Sequence, residues 1–141
     1  MDLNDLMPAA EPVWFTLTHV STGADVVSEG KPVRFLLNGP DSPVMVAHER
    51  KVQQRRLTAA GKTGRVVLKP EELDAESTEQ AVAAIAGWDW DGLKIDGKAV
   101  DFSRETAATV VGQVRWIRDW VLEQVRDRGN FIGAPVNEPT K

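Results

Sequence analysis

The sequence predicts an α+β fold, a small N-terminal antiparallel β-sheet followed by about three α-helices with a short β-hairpin connector. Three observations carry this expectation. Residues 13–40 are rich in β-branched and aromatic side chains that alternate, the region after residue 41 shows helical spacing with start and stop signals, and an Asp-Gly pair sits between two short extended runs near residue 96.

The first strand is VWFTLTHV (13–20), where alternation places Val13, Phe15, Leu17 and His19 on one face and Trp14, Thr16, Thr18 and Val20 on the other. STGAD is a turn by composition. VVSEGK holds a short strand or a bulge, and in KPVRFLLNGP the residues Val33, Phe35 and Leu37 alternate with Arg34 and Leu36 until Asn-Gly-Pro ends the run. A two-stranded hairpin alone is marginal in water, so this sheet needs helices or another chain against it.

The first helix starts at Asp41 or Ser42, either of which can cap the free amides, with Pro43 in the first turn and Gly61 as its end. Its apolar stripe, Val44, Met45, Ala47, Val52 and Leu57, is loose, which places the helix on a surface with its basic side outward. A brief pairing is expected at 66–68. The second helix opens at Pro70 with Glu71, Glu72 and Asp74 near its positive dipole end, buries Val82, Ile85 and Ala86, and stops at Gly87. In the connector GWDWDGLKIDGKAVDFS, residues 93–95 and 98–102 flank the Asp96-Gly97 turn, a pair that tolerates positive φ. Trp88 and Trp90, at alternate positions, fall on one face and wedge between helices two and three. The third helix is capped by Ser103, carries Val110, Val114, Ile117, Val121 and Val125 at spacings of three and four, and ends at Gly129. Trp116 and Trp120 broaden that face, while Gly112 invites a kink or a division into two helices. Residues 1–12 read as a flexible arm, 13–132 as a single α+β domain (13–40 β-rich, 41–132 mainly helical), and 133–141 as a disordered tail.

Composition limits the chemistry. With 141 residues, 42% hydrophobic, the chain is long enough for one domain with a proper core. It has no cysteine, which excludes disulfides, thiolate metal sites and a cysteine nucleophile. The start MDLNDLMPAA has neither a basic nor an apolar leader region, and no run reaches membrane-spanning length, so a cytosolic protein is expected. A formal charge of -4 argues against nucleic acid as the main partner. The charge is patchy: HERKVQQRR (48–56) is basic and EELDAESTE (71–79) acidic, as two helices facing one another would be.

Motif-like fragments fail on spacing. AAGKTG ends like a phosphate-binding loop, yet Arg56 stands where the first glycine is needed and no strand feeds it. A calcium loop counted from Asp89 and Asp91 would place Leu93 and Val100 at ligand positions and Lys94 where glycine belongs. His19 and His48 lie on different elements, which gives zinc no ligand set. No catalytic, cofactor or metal residues are assigned, and a non-enzyme is expected. Trp88, Trp90, Trp116 and Trp120 are the candidate protein-binding residues: they either build the core beneath the sheet or form a self-association or client surface.

The order of the pieces resembles the tail assembly chaperones of long-tailed bacteriophages. The likeness rests on THVSTGADV, on NGPDSPV leading into HERKVQQRR, on AVAAIAGWDWDGLKIDGKAVDFSRETAATVV, and on VRWIRDWVLEQVRDRGNFI. The resemblance implies a noncatalytic protein in the cytoplasm of the host cell and absent from the mature virion. It would hold the tape measure protein soluble while tail tube subunits polymerise, with the tail tube protein and a second copy of itself as further partners. Several such proteins also have a longer form made by ribosomal frameshifting. A virion tail-completion or adaptor protein, and a small DNA-binding regulator using the 50–65 region, are the alternatives.

Overall fold

A computed structural model describes residues 2–8, 10–64 and 68–132. The tail expected to be disordered and most of the brief pairing expected at 66–68 lie outside them. Among the described residues the fold is α+β, with four α-helices and small antiparallel sheets.

A 3₁₀ turn at Leu3–Leu6 opens the chain, and Pro8 forms an isolated bridge with Ile132. Strand β1 (Val13–Thr16) pairs with β4 (Arg34–Leu37), and between them β2 (Val27–Ser28) and β3 (Lys31–Pro32) make a hairpin. Glu29 (φ 52°) and Gly30 (φ 75°) form its turn, both in the left-handed region that a two-residue hairpin demands. The alternation expected from sequence holds for Val13, Leu17, Val33, Phe35 and Leu37, which are buried on one face, but the strand expected over 13–20 stops at Thr16 and His19 is exposed.

The main departure from expectation is a third strand. The second helix, α2 (Pro70–Ala84), does not continue to Gly87; the chain turns at Ile85 and β5 (Ile85–Asp89) joins the open side of β4, giving the order β1-β4-β5. The sheet is therefore completed by a segment that follows two helices, so it is not wholly N-terminal. Leu36 pairs with Gly87 and Leu37 with Ile85, which leaves Ala86 as the extra residue of a bulge. Without it Ile85 would share the outer face of Gly87 and Asp89; the one-residue offset returns it to the core. Asn38 holds this junction, its amide donating to the Ala84 carbonyl at 2.7 Å and its Nδ2 to that of Ala83 at 3.2 Å.

Helix α1 (Pro43–Thr63) starts as expected, with the Ser42 hydroxyl accepting the Met45 amide at 3.4 Å. It runs through Gly61 and ends instead at Gly64 (φ 80°), whose amide donates to the Ala60 carbonyl. A left-handed residue closes a helix best, and position alone does not tell which of two nearby glycines takes that conformation. Gly39, just before α1, allows a close approach: a Cβ there would lie 2.8 Å from the ring of fully buried Phe131.

The expected Asp96-Gly97 turn is present, with φ 52° and 79°, between β6 (Lys94–Ile95) and β7 (Lys98–Ala99). Ser103 caps α3 (Arg104–Gln113), its hydroxyl accepting the Thr106 amide at 3.0 Å while its own amide donates to Thr106 Oγ1 at 2.7 Å. The expected long third helix is two. It breaks at Val114 (φ −112°, ψ 87°), not at Gly112, and resumes as α4 (Arg115–Arg126). Gly129 does not terminate α4; it lies inside a following 3₁₀ turn, Arg128–Phe131, whose Asp127 carboxylate accepts the Gly129 amide.

One core joins these parts. Phe35 and Leu37 of the sheet, Ala81 and Ala84 of α2, Ala107 and Val111 of α3, and Ile117, Val121, Leu122 and Val125 of α4 are all buried in it.

Candidate protein-binding site

Three of the four candidate tryptophans come together around one side chain. Phe35, fully buried, meets the rings of Trp88, Trp90 and Trp120 at centroid distances of 5.7, 5.9 and 5.7 Å. Trp88 sits opposite Phe35 in the β4–β5 register, so the two share the core face, and Trp90 follows by alternation. Trp88 and Trp90 also meet each other edge to face at 5.8 Å, and Trp88 meets Phe102 at 5.0 Å. The expectation that they wedge between the second and third helices is corrected accordingly: the strand carrying them is part of the sheet, and they pack on Phe35.

Trp116 and Trp120 play a different part. The inward face of α4 is Ile117, Val121, Leu122 and Val125, and the tryptophans lie along its flank, half-buried. Trp120 spans from Phe35 to the surface, whereas Trp116 meets the ring of His19 at 5.4 Å. Beside them runs a groove of about 270 Å³. Thr18, His19 and Val20 form one wall, and Trp116, Asp119, Trp120 and Glu123 of α4 form the other. The His19 ring is steadied by Ser21, whose amide donates to Nδ1 at 3.4 Å.

Sequence reasoning did not single out Asp119 and Glu123. The signal was present: residues 116, 119, 120 and 123 recur at i, i+3, i+4 and i+7, one helical flank. It also passed over Trp14, on the outer face of the sheet, where the Arg34 guanidinium lies 5.5 Å from its ring and pairs with Asp89.

Beneath the groove α4 is anchored electrostatically. Arg118, 8% exposed, donates through Nη1 to Asp74 Oδ1 on α2 at 2.7 Å and through Nε to Asp119 Oδ1 at 3.1 Å; Arg115 also pairs with Asp74. Hydrogen bonds from Arg118 and Arg115 hold the Asp74 carboxyl below its usual range, and the bond to Asp74 raises Arg118. Asp41 is held low in the same way by Arg128, which contacts it at 2.7 and 3.2 Å.

Two aspartates of the connector are engaged structurally: Asp89 with Arg34, and Asp91 with Lys31 at 3.1 Å. Among the described residues no three His, Asp or Glu side chains gather as a metal site, and no helix is long and apolar enough to cross a membrane. The AAGKTG segment is helical through Thr63, so its amides are not turned toward a phosphate. No protein-family model matches the chain, and neither a curated protein nor a solved structure matches it.

Proposed function

We propose that this protein is a noncatalytic assembly chaperone of the kind made for the tails of long-tailed bacteriophages, holding the tape measure protein soluble in the host cytoplasm until tube subunits enclose it. The observation that carries the reading is the α4 flank, where the indoles of Trp116 and Trp120 line an open groove. Half-buried aromatic side chains on a rigid element are the usual anchors of a protein interface, and an amphipathic helix is the usual occupant of such a groove. The ordered series of segments that resembles the tail chaperones supports the choice of client.

The test is co-expression with the tape measure protein of the same phage. The wild-type chain is expected to raise the soluble fraction of the tape measure and to co-purify with it. Trp116→Ala, which leaves the Phe35 cluster untouched, is expected to weaken both effects while the circular dichroism spectrum stays unchanged. Tape measure solubility that is the same with and without the chain would refute the reading. Stoichiometric recovery of the chain in purified particles would replace it with a structural role in the tail.

A further inference from the structure

We propose that the groove between the end of β1 and α4 is a receptor for one basic side chain, an arginine or lysine set in the apolar stripe of a helical client segment. The inference names the chemistry of the partner and rests on the chaperone reading for the client's identity.

Size is the first argument. At about 270 Å³ the groove falls just under the roughly 300–1,000 Å³ of small-molecule sites, so it suits a side chain of a larger partner better than a cofactor. Charge is the second. Two carboxylates, Asp119 and Glu123, stand one helical turn apart beside the two indoles. Glu123 makes no ion pair among the described residues. Among the described residues Asp119 pairs with Arg118 Nε alone, whose guanidinium is shared with Asp74, and its side chain remains 65% exposed. The negative charge at this rim is therefore only partly answered among the described residues. Indole faces are themselves electron-rich, and a cation against Trp116 or Trp120 is attracted by the ring as well as by the carboxylates. The same arrangement repels phosphate and other anions. Val20, 68% exposed at the opposite rim, offers apolar contact to residues on either side of the cation.

The chain's net charge of -4 favours approach of a basic partner. Arg and Lys carry long apolar stems below their charge, so either can bury its methylenes against the indoles while its head reaches Asp119 and Glu123.

Two synthetic amphipathic helices test this with the full chain. One carries a single Arg flanked by leucines one turn to either side, and the other has Gln in its place. Binding is followed by tryptophan fluorescence and calorimetry. The wild type is expected to prefer the Arg helix by roughly tenfold. Asp119→Asn with Glu123→Gln, both exposed positions, should abolish the preference while the circular dichroism spectrum stays unchanged. Equal binding of the two helices, binding of neither, or a preference that survives the double variant overturns the proposal. So does self-association of the wild type that the double variant abolishes, because the occupant is then a second copy. The parallel arm repeats the tape measure co-expression. If the wild type and the double variant solubilise the client equally, the basic-residue receptor falls and the chaperone reading stands. If neither solubilises it but the peptide preference holds, the chaperone reading falls and the groove chemistry stands.

Discussion

Helices α1 and α4 meet the rest of the molecule in opposite ways. α4 buries Ile117, Val121, Leu122 and Val125 in the core, and its one buried cation is answered by Asp74. α1 is longer, yet among its described side chains Met45 alone is buried, while Val44 and Leu57 lie open to solvent. What joins α1 to α2 is mainly charge: Arg55 with Glu79 and Arg56 with Glu76, each at 2.6 Å. Burial of apolar area is worth far more than exposed ion pairs, so α4 is part of the folding unit, and α1 is a capped surface helix docked upon it. The candidate groove lies on the rigid helix, as a preorganised interface requires.

The same substitution on the two helices makes the sharpest test. Leu122→Ala removes a side chain that is 2% exposed and leaves a void, which should cost about 2–5 kcal/mol in urea unfolding. Leu57→Ala, at a position 67% exposed, should stay within about 0.5 kcal/mol of the wild type. Similar losses for the two variants would mean that α1 is packed as α4 is, and the distinction would collapse.

Much of this contrast was legible in the sequence. The broken stripe from Val44 to Leu57 marked a surface helix, and the basic and acidic blocks that pair in the fold stood out as charge runs. Turn chemistry was legible for a local reason: few residues tolerate positive φ, so Asp96-Gly97 announces a hairpin. Strand β5 was not, because IAGWD has no local alternation strong enough to separate it from the end of α2. Its conformation is decided by the vacant edge of β4, roughly fifty residues earlier in the chain, and such long-range pairing overrides local preference. For the candidate site, the indoles were legible as large apolar side chains with a polar edge. Their division into a pair beneath the sheet and a pair along a groove depended on β5. The acids beside them were not singled out, because only the fold brings the residues after β1 opposite them.

The Asp74 junction extends the comparison to the polar contacts, with a smaller effect than Leu122→Ala. The folded-state pKa of Asp74 is depressed by its bonds to Arg118 and Arg115, from an ordinary value of 3.8. As pH falls, the unfolded chain takes up this proton first. The contribution is therefore complete above the ordinary value and disappears as pH falls through the depressed one. Asp74→Asn should be less stable than the wild type near neutral pH, with a gap that closes in acid. Urea unfolding across a pH series measures it, and Asp41, held low by Arg128, keeps its own slope in both proteins. A gap that does not change with pH would show that the carboxylate's charge contributes nothing to holding α4.

A further small effect belongs to the α1–α2 pairs. Both carboxylates and both guanidinium groups keep contact with water, with side-chain exposures between 22% and 48%, and the Nε of Arg56 is buried without a hydrogen-bond partner. The pairs are thus incompletely desolvated and incompletely satisfied, which limits their value on two counts. Glu76→Gln with Glu79→Gln should lower global stability by less than about 1 kcal/mol, and roughly 1 M salt should remove most of the difference, because the screening length there is about 3 Å. Hydrogen exchange gives the decisive reading: amides of α1 should exchange faster in the double variant while those of α4 are unchanged, since only the docked helix loses its tether. If α4 exchange accelerates equally, the two helices unfold as one unit and charge contributes to the core's cooperativity after all.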